Sequence, residues 1–383
     1  MNMIPLAVPN LSGNEARYLQ ECVDSTFVSS VGPFVGRLEN MVAEAAGVSD
    51  CVATASGTAG LHAALLSVGV GPGDLVVVPS YTFIASANAV AHCGAEPWLM
   101  DVDHDSWTLD ADLLEKTLSA DTISKDNILI HHASGRRVAA IIAVYTMGLP
   151  ADMDKIMAIA KSFSVPVVAD AAAALGGTYK GRMVGDLGAD LTVFSFNGNK
   201  TVTAGGGGAI IGNDAEIIDR VRHLTTTARV GDDYDHDRVG YNYRMTNLQA
   251  AVGCAQMEQL ENFVAAKRRI SDLYNRELAV IDGVSLFPAP DWAHSACWFS
   301  GVTVEAPLPS VDVLVTRLRE NGVAARKFWK PMHLQVPFND VSKTEMKVSD
   351  DIWQRVLTLP CSTHLTEMDQ DYVIQAFLKI CAR

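Results

Sequence analysis

The sequence predicts an α/β protein: a large domain built on a mostly parallel sheet sandwiched by helices, followed by a smaller C-terminal α+β domain. Three observations carry that prediction. From about residue 50, apolar runs of strand length alternate with helical stretches, the order that a parallel sheet covered on both faces requires. The runs are continuously apolar rather than alternating, as expected for strands buried on two sides. After about residue 213 the rhythm changes to long helical segments and then to shorter strands and helices.

In chain order the expected strands are "CVATAS", "LVVVPS", "EPWLMDVD", "VAAIIAVYT", "VPVVADAA", "LTVFSF" and "GAIIG". Between them lie "GTAGLHAALLSVG", "TFIASANAVAHCG" and "MDKIMAIAKSFS", which read as helices. "AEIIDRVRHLTT" follows, and the stretch "NLQAAVGCAQMEQLENFVAAKRRISDLYNRELAVI" reads as one long connecting helix with apolar residues at helical spacing. "CWFSGVTVE" and "VDVLVTRLRENGV" belong to the smaller lobe, and "HHASGRR" and "RVGDDYDHDRVG" are expected exposed loops. The expected division is residues 1–255 for the large domain with an N-terminal arm, and 256–383 for the connecting helix and small domain.

Composition narrows the function. At 383 residues, 49% of them hydrophobic, the chain can bury a sizeable core, and it holds no apolar run long enough to cross a bilayer. A net charge of −14 argues against a nucleic-acid partner, because affinity for a polyanion comes from clustered cations. A compact phosphate can still be held by backbone N–H groups at a helix start. Seven cysteines without a Cys-x-x-Cys pair argue against a disulfide framework or zinc site, so no metal is expected. The opening shows neither a secretory nor a transit signal, and the cytoplasm is the expected compartment.

Four stretches could carry chemistry. "SGTAGLHAALL" follows a strand and opens a helix, so Gly57, Thr58 and Ala59 can cradle a phosphate or simply form an ordinary cap. Asp170 ends a buried-looking strand, at the edge where ligands gather in parallel sheets; it either caps a turn or pairs with a protonated ring nitrogen. Ser195 and Lys200 follow the next strand, and Gly205–Gly208 let backbone approach a ligand closely. Taken alone, Lys200 would be a solvated lysine. A phosphate cradle, an acid at a strand end and then a lysine are together the parts that bind pyridoxal phosphate.

Those stretches, with "PSYTFIASANAVAHCGAEPWLMDVD", "GLPADMDKI" and "GYNYRMTNLQAAVG", resemble the DegT/DnrJ/EryC1/StrS sugar aminotransferases, fold-type I pyridoxal-phosphate enzymes, over nearly the whole chain. The opening "IPLAVPNLSGNEARYLQECVDSTFVSSVG" and "FSFNGNKTVTAGGGGAI" resemble the LegC-like subgroup, which aminates the 4-keto group of nucleotide-linked deoxysugars. The resemblance implies that Lys200 forms the Schiff base and Asp170 partners the pyridine nitrogen. Phe83 falls where a flat group stacks on the cofactor ring, unless it only fills core. Ser195 and Thr58 fall at phosphate positions. Asn242 falls in a loop that reaches the neighbouring subunit's site, which implies a homodimer with shared active sites.

Substrate contacts are expected from Ser29 and Ser30 near the sugar. Arg326, Lys330 and His333 are candidate diphosphate or base contacts, or else surface and packing residues. Arg244 either contacts an anion or serves as a capping or salt-bridging arginine. Two positions depart from the family pattern: Ala173 stands where relatives carry His, Gln or Glu, and Tyr145 replaces a common histidine. The implied reaction takes an amino group from glutamate to a UDP-linked 2-acetamido-4-keto-2,6-dideoxyhexose, as in legionaminic-type routes. A GDP- or dTDP-linked keto sugar is the alternative. A dehydratase or lyase on the same scaffold is disfavoured because dehydratase relatives replace the lysine with histidine, and a sensor domain because it would carry a DNA-binding segment.

Overall fold

The computed structural model describes residues 3–382 of the chain. Its centre is a seven-stranded sheet of β1 (Asp50–Thr54), β2 (Leu75–Pro79), β3 (Glu96–Met100), β4 (Val138–Val144), β5 (Val167–Asp170), β6 (Leu191–Ser195) and β7 (Gly208–Gly212), in the spatial order β1-β7-β6-β5-β4-β2-β3. β2, β3, β4, β5 and β6 pair in parallel. β7 is antiparallel to both β1 and β6. The reversal has a direct cause: β6 and β7 are joined by a loop without a crossover helix, and a parallel return would need one. That loop carries Lys200.

Helices cover both faces. On one side α1 (Glu15–Asp24), α2 (Pro33–Ala46), α5 (Ala111–Asp121), α6 (Met153–Phe163) and α8 (Asn247–Met257) close over a core that includes Leu38, Trp98, Ile141 and Phe194. On the other, α3 (Gly57–Ser67), α4 (Ile84–His92) and α7 (Ala215–Thr225) pack around Leu65, Val76, Ile142 and Ile210. α3 is apolar almost all round because it lies between the sheet and its neighbour helices, with Leu61, Ala63, Ala64 and Leu65 all buried.

The expected single long helix is two. α8 stops at Met257 and α9 (Leu260–Leu278) starts after a turn at Glu258 and Gln259. Glu258 is anchored by Tyr18 Oη (2.5 Å), Asn14 Nδ2 (2.7 Å) and Arg37 (2.6 Å), so its bonds to the first two helices direct the chain at the break. α9 leads to a four-stranded antiparallel sheet of β8 (Val284–Leu286), β9 (Ser300–Val304), β10 (Arg326–Lys327) and β11 (Val356–Leu359) in the order β8-β9-β11-β10. α10 (Val311–Glu320), α11 (Lys347–Arg355) and α12 (Glu367–Cys381) pack on it. The lobes interlock: Tyr81, Trp107 and Met147 of the larger one sit in the core of the smaller, and Ile4 pairs with Val323.

The two expected loops differ from each other. "RVGDDYDHDRVG" is largely exposed and pairs Arg229–Val230 with Asp235–His236. In "HHASGRR" His131 is buried against Trp98 and Arg137 binds Asp74 at 2.5 Å, so that loop is pinned to the large domain. The seven cysteines are free, and no helix among the described residues is long and apolar enough to cross a membrane.

Close approach of β7 to α3 fixes the geometry beneath the site. A β-carbon at Gly208 would lie 2.7 Å from both Gly57 N and Phe194 O, backbone atoms that cannot swing aside. Gly208→Ala is therefore expected to destabilise the apoprotein by about 1–3 kcal/mol, as overpacking does. Denaturant unfolding checks it; an unchanged midpoint would show that the strand and helix can separate freely.

Candidate active site

The C-terminal edges of β4, β5 and β6 lie side by side, because Val144 is in register with Asp170 and Asp170 with Val193. A cavity of about 500 Å³ opens at this edge, the place where ligands bind in parallel sheets. Asp170, Ser195 and Lys200 line it, together with Gly57, Thr58 and Phe83. Residues spread over more than 140 positions of sequence thus meet in one hollow.

Asp170 is 6% exposed. One carboxylate oxygen accepts from Ser86 Oγ at 2.6 Å and the other from the Ala172 N–H at 3.2 Å. Ser86 has a single hydroxyl proton, so its contact with Thr82 Oγ1 at 3.0 Å is a bond that Thr82 donates. Burial pushes the Asp170 carboxyl up from its ordinary value, while the Ser86 and Ala172 bonds and the charge of Lys200 work against it. A second positive charge, such as a protonated ring nitrogen, would favour the carboxylate further.

Lys200 retains some exposure to the cavity, but its amine lies against Trp298, with Nζ 3.7 Å from the ring centre. Burial lowers this amine from the ordinary 10.5 to about 8, and the Asp170 charge acts in the opposite direction. A lysine of this kind is neutral often enough near neutral pH to act as a nucleophile or proton carrier.

The opposite wall suits a phosphate. α3 starts at Gly57, and Ser56 caps it by accepting from the Ala59 N–H at 3.1 Å. Gly57 and Thr58 occupy the first two helical positions, whose N–H groups have no acceptor within the helix. Ser195 faces them: a β-carbon at Gly57 would come within 2.9 Å of Ser195 Cβ. Phe83 is 56% exposed and its ring lies 6.3 Å from that of Trp329. A buried amine, a buried carboxylate, a helix start beside a hydroxyl and an open aromatic face together fit pyridoxal phosphate. Lys200 would carry it, Asp170 would meet its ring nitrogen and Gly57, Thr58 and Ser195 its phosphate.

Other expected contacts fall elsewhere. The Ala59 N–H is taken by Ser56, and Ala59 does not line the cavity. Arg244 forms a salt bridge with Glu39 at 2.7 Å and donates to the Ala53 carbonyl, with its side chain 13% exposed and off this chain's cavity. His333 is buried between Ser80 Oγ (2.7 Å) and Asp350 Oδ1 (2.9 Å), linking the end of β2 to α11 and lying off the cavity. Lys330 is exposed and off the cavity, whereas its neighbour Arg326 lines it. Ser29 and Ser30 are exposed beside α8, where the Ser29 carbonyl accepts from the Asn247 N–H, and Asn242 is exposed as well; none of the three lines this chain's cavity.

The two departures, Ala173 and Tyr145, are both at the cavity wall. Tyr145 is buried with its hydroxyl unpartnered, and burial pushes that phenol up. Sequence reading passed over Ser86 and Trp298. Ser86 had a signal, a hydroxyl three residues after Phe83 on a helix facing a strand end. Trp298 had none, since only the fold brings it to a lysine 98 positions away.

Comparison with known proteins decides the family. Residues 9–378 match the model of the DegT/DnrJ/EryC1/StrS aminotransferase family. The chain belongs to that family. It is a pyridoxal-phosphate-dependent aminotransferase, as its sequence led us to expect. It is 38% identical to a GDP-perosamine synthase of Caulobacter vibrioides over 97% of both chains, and 34% identical to one of Escherichia coli O157:H7 over 98% of both. The fold matches a DegT DnrJ EryC1 StrS aminotransferase from Brucella abortus with TM-score 0.88 and 31% identity, covering 97% of this chain and 96% of the other. It also matches DesV of S. venezuelae, solved in complex with a ketimine intermediate, with TM-score 0.89 and 27% identity over the whole of both chains.

In the cofactor-free aminotransferase, Lys200 should react with an acylating reagent with a midpoint near pH 8, well below exposed lysines near 10.5. Because the Asp170 charge favours the ammonium, Asp170→Asn should move that midpoint lower still. Mass spectrometry of labelled peptides against pH reads both, and a raised midpoint in the variant would contradict the assigned coupling.

Proposed function

We propose that this aminotransferase moves an amino group from glutamate to the keto carbon of a GDP-linked deoxysugar, giving an amino-sugar nucleotide. The single observation that carries the chemistry is the Lys200 amine, held in a cavity beside Asp170 with its proton affinity lowered to about 8. The GDP reading is supported by relatives named GDP-perosamine synthase that match this chain from end to end. It takes precedence over the UDP-linked acetamido sugar that the LegC-like opening suggested.

Pyridoxal phosphate, when bound, supplies an electron sink for the bonds being broken and made. The chain supplies the rest. Lys200 would hold the cofactor covalently and, when released, its amine would take up and return the proton of the donor's α-carbon. Asp170, fixed by Ser86 and Ala172, keeps a ring nitrogen protonated. Gly57, Thr58 and Ser195 would hold the phosphate, and Phe83 would lie against the ring. Donor and sugar then use the same groups in turn, so the kinetics should be ping-pong. Arg326, exposed at the cavity and without an ion-pair partner among the described residues, would meet the substrate's diphosphate.

A panel of GDP-, UDP- and dTDP-linked 4-keto-6-deoxysugars, each with glutamate and read by product mass, tests the assignment. The GDP sugar should be aminated with the highest kcat/KM, and Lys200→Ala should give no product with any of them. Preference for the UDP-linked acetamido sugar would return the assignment to the LegC-like reading, and turnover by Lys200→Ala would remove that lysine from the chemistry.

A second copy of the chain is part of this reading. Ser29, Ser30 and Asn242 lie off their own cavity, Ser29 and Ser30 in a segment that also exposes the apolar side chains of Phe27, Val28 and Val31, and a homodimer would carry the three to the neighbour's site. Lys200→Ala and Asn242→Ala should each be inactive alone. Mixed as exchanging dimers they should recover about a quarter of native activity, since half the dimers would hold one intact site. No recovery from dimers shown to exchange would place Asn242 in its own subunit's site or in none.

A further inference from the structure

The amine of Lys200 rests on a side chain from the smaller lobe. Trp298 is 3% exposed, and its ring centre lies 3.7 Å from Lys200 Nζ, well inside cation–π range. Two bonds fix that ring. Its indole N–H donates to the carbonyl of Asn199, the residue before Lys200, at 2.7 Å. Its own backbone carbonyl accepts from Lys267 Nζ at 2.9 Å, and the same buried ammonium also donates to the Cys361 carbonyl at 2.6 Å. Phe299 packs edge-on at 4.5 Å and Trp329 lies at 5.9 Å. Turning the indole would strand its N–H among apolar rings.

We propose that Trp298 is a positioning residue: its ring face is the seat that the Lys200 amine occupies when it is protonated and not covalently engaged. A released lysine side chain has four carbons of flexible stem and would otherwise sample the whole cavity. A π face attracts the ammonium without a directional bond, and loses most of that attraction once the amine is neutral. The seat therefore holds the protonated amine and releases the neutral one, the form that can take up a proton from the donor's α-carbon. Asp170 also favours the charged form, from the sheet side. The catalytic consequence rests on Lys200 being the reactive lysine, but the seat is a property of the apoprotein and can be tested without the cofactor.

Reductive methylation of the apoprotein with ¹³C-formaldehyde gives each lysine a methyl signal, and that of Lys200 is the one missing in Lys200→Arg. In the native apoprotein it should be displaced upfield of the exposed lysines by the indole ring. Trp298→Leu should abolish the displacement and Trp298→Phe, which keeps a ring but loses the Asn199 bond, should retain part of it. In the loaded enzyme Trp298→Leu should lower kcat about tenfold with the donor KM within about twofold, and Trp298→Phe should recover most of the loss. An undisplaced Lys200 signal in the native protein overturns the proposal whether or not either variant folds. A folded Leu variant with native kcat overturns it too, and leaves Trp298 a packing residue only. Failure of Lys200→Ala to lose amination would instead sink the functional reading while leaving the apoprotein signal as it is.

Discussion

The desolvation of one amine organises this molecule. Removing an ammonium from water is costly, and a lysine buried without compensation sheds its proton. Lys200 is held between those limits, with burial favouring the neutral amine and both Asp170 and the face of Trp298 favouring the charged one. Asp170 can act only because Ser86 and Ala172 hold its carboxylate at the end of β5. Trp298 can act only because the smaller lobe is locked to the larger one. The architecture around the cavity follows from setting three groups, drawn from three parts of the chain, at one edge of the sheet.

That setting also explains the glycine run. After β6 the chain must turn, present Lys200 and return as β7 without a helix, while passing close to the start of α3. Gly205 and Gly207 take left-handed backbone, with φ of 74° and 109°, and Gly208 lies where any side chain would strike Gly57. The same approach brings Ser195 against the first turn of α3, so the hydroxyl and the helix N–H groups share one pocket. A single local constraint thus serves the lysine and the phosphate site together.

Much of this was legible beforehand because local pattern and tertiary role agree there. Strands buried on both faces must be apolar throughout, and all seven runs of the central sheet were readable for that reason; the ordered stretches ending in Asp170, Ser195 and Lys200 marked the cavity edge. What sequence hid depends on partners far along the chain. Nothing around Gly208 announces that β7 runs backwards, since direction is set by pairing. The break after Met257 is directed by Tyr18, Asn14 and Arg37, which lie more than 200 positions away. Arg244 and His333 stayed open between ligand contact and structural role because a cation in a sequence does not display its anion. Their partners, Glu39 for one and Ser80 with Asp350 for the other, become neighbours only in the folded chain.

Those engagements bear on how a chain with a net charge of −14 receives a doubly phosphorylated substrate. Arg244 is spent on Glu39, and Lys327, though at the cavity, donates to Asp312 at 3.1 Å and lies over the Trp353 ring at 4.4 Å. Arg326 makes no ion pair among the described residues and lines the same cavity. Charge attraction at the mouth therefore rests on few groups, and the fixed dipoles of the α3 start supply the rest inside. Such a division suits the two phosphate demands. The cofactor's phosphate would be met by backbone N–H groups that cost no ordering of long side chains. A substrate diphosphate, which must enter and leave each cycle, would on the proposed reading be met by a flexible guanidinium at the surface.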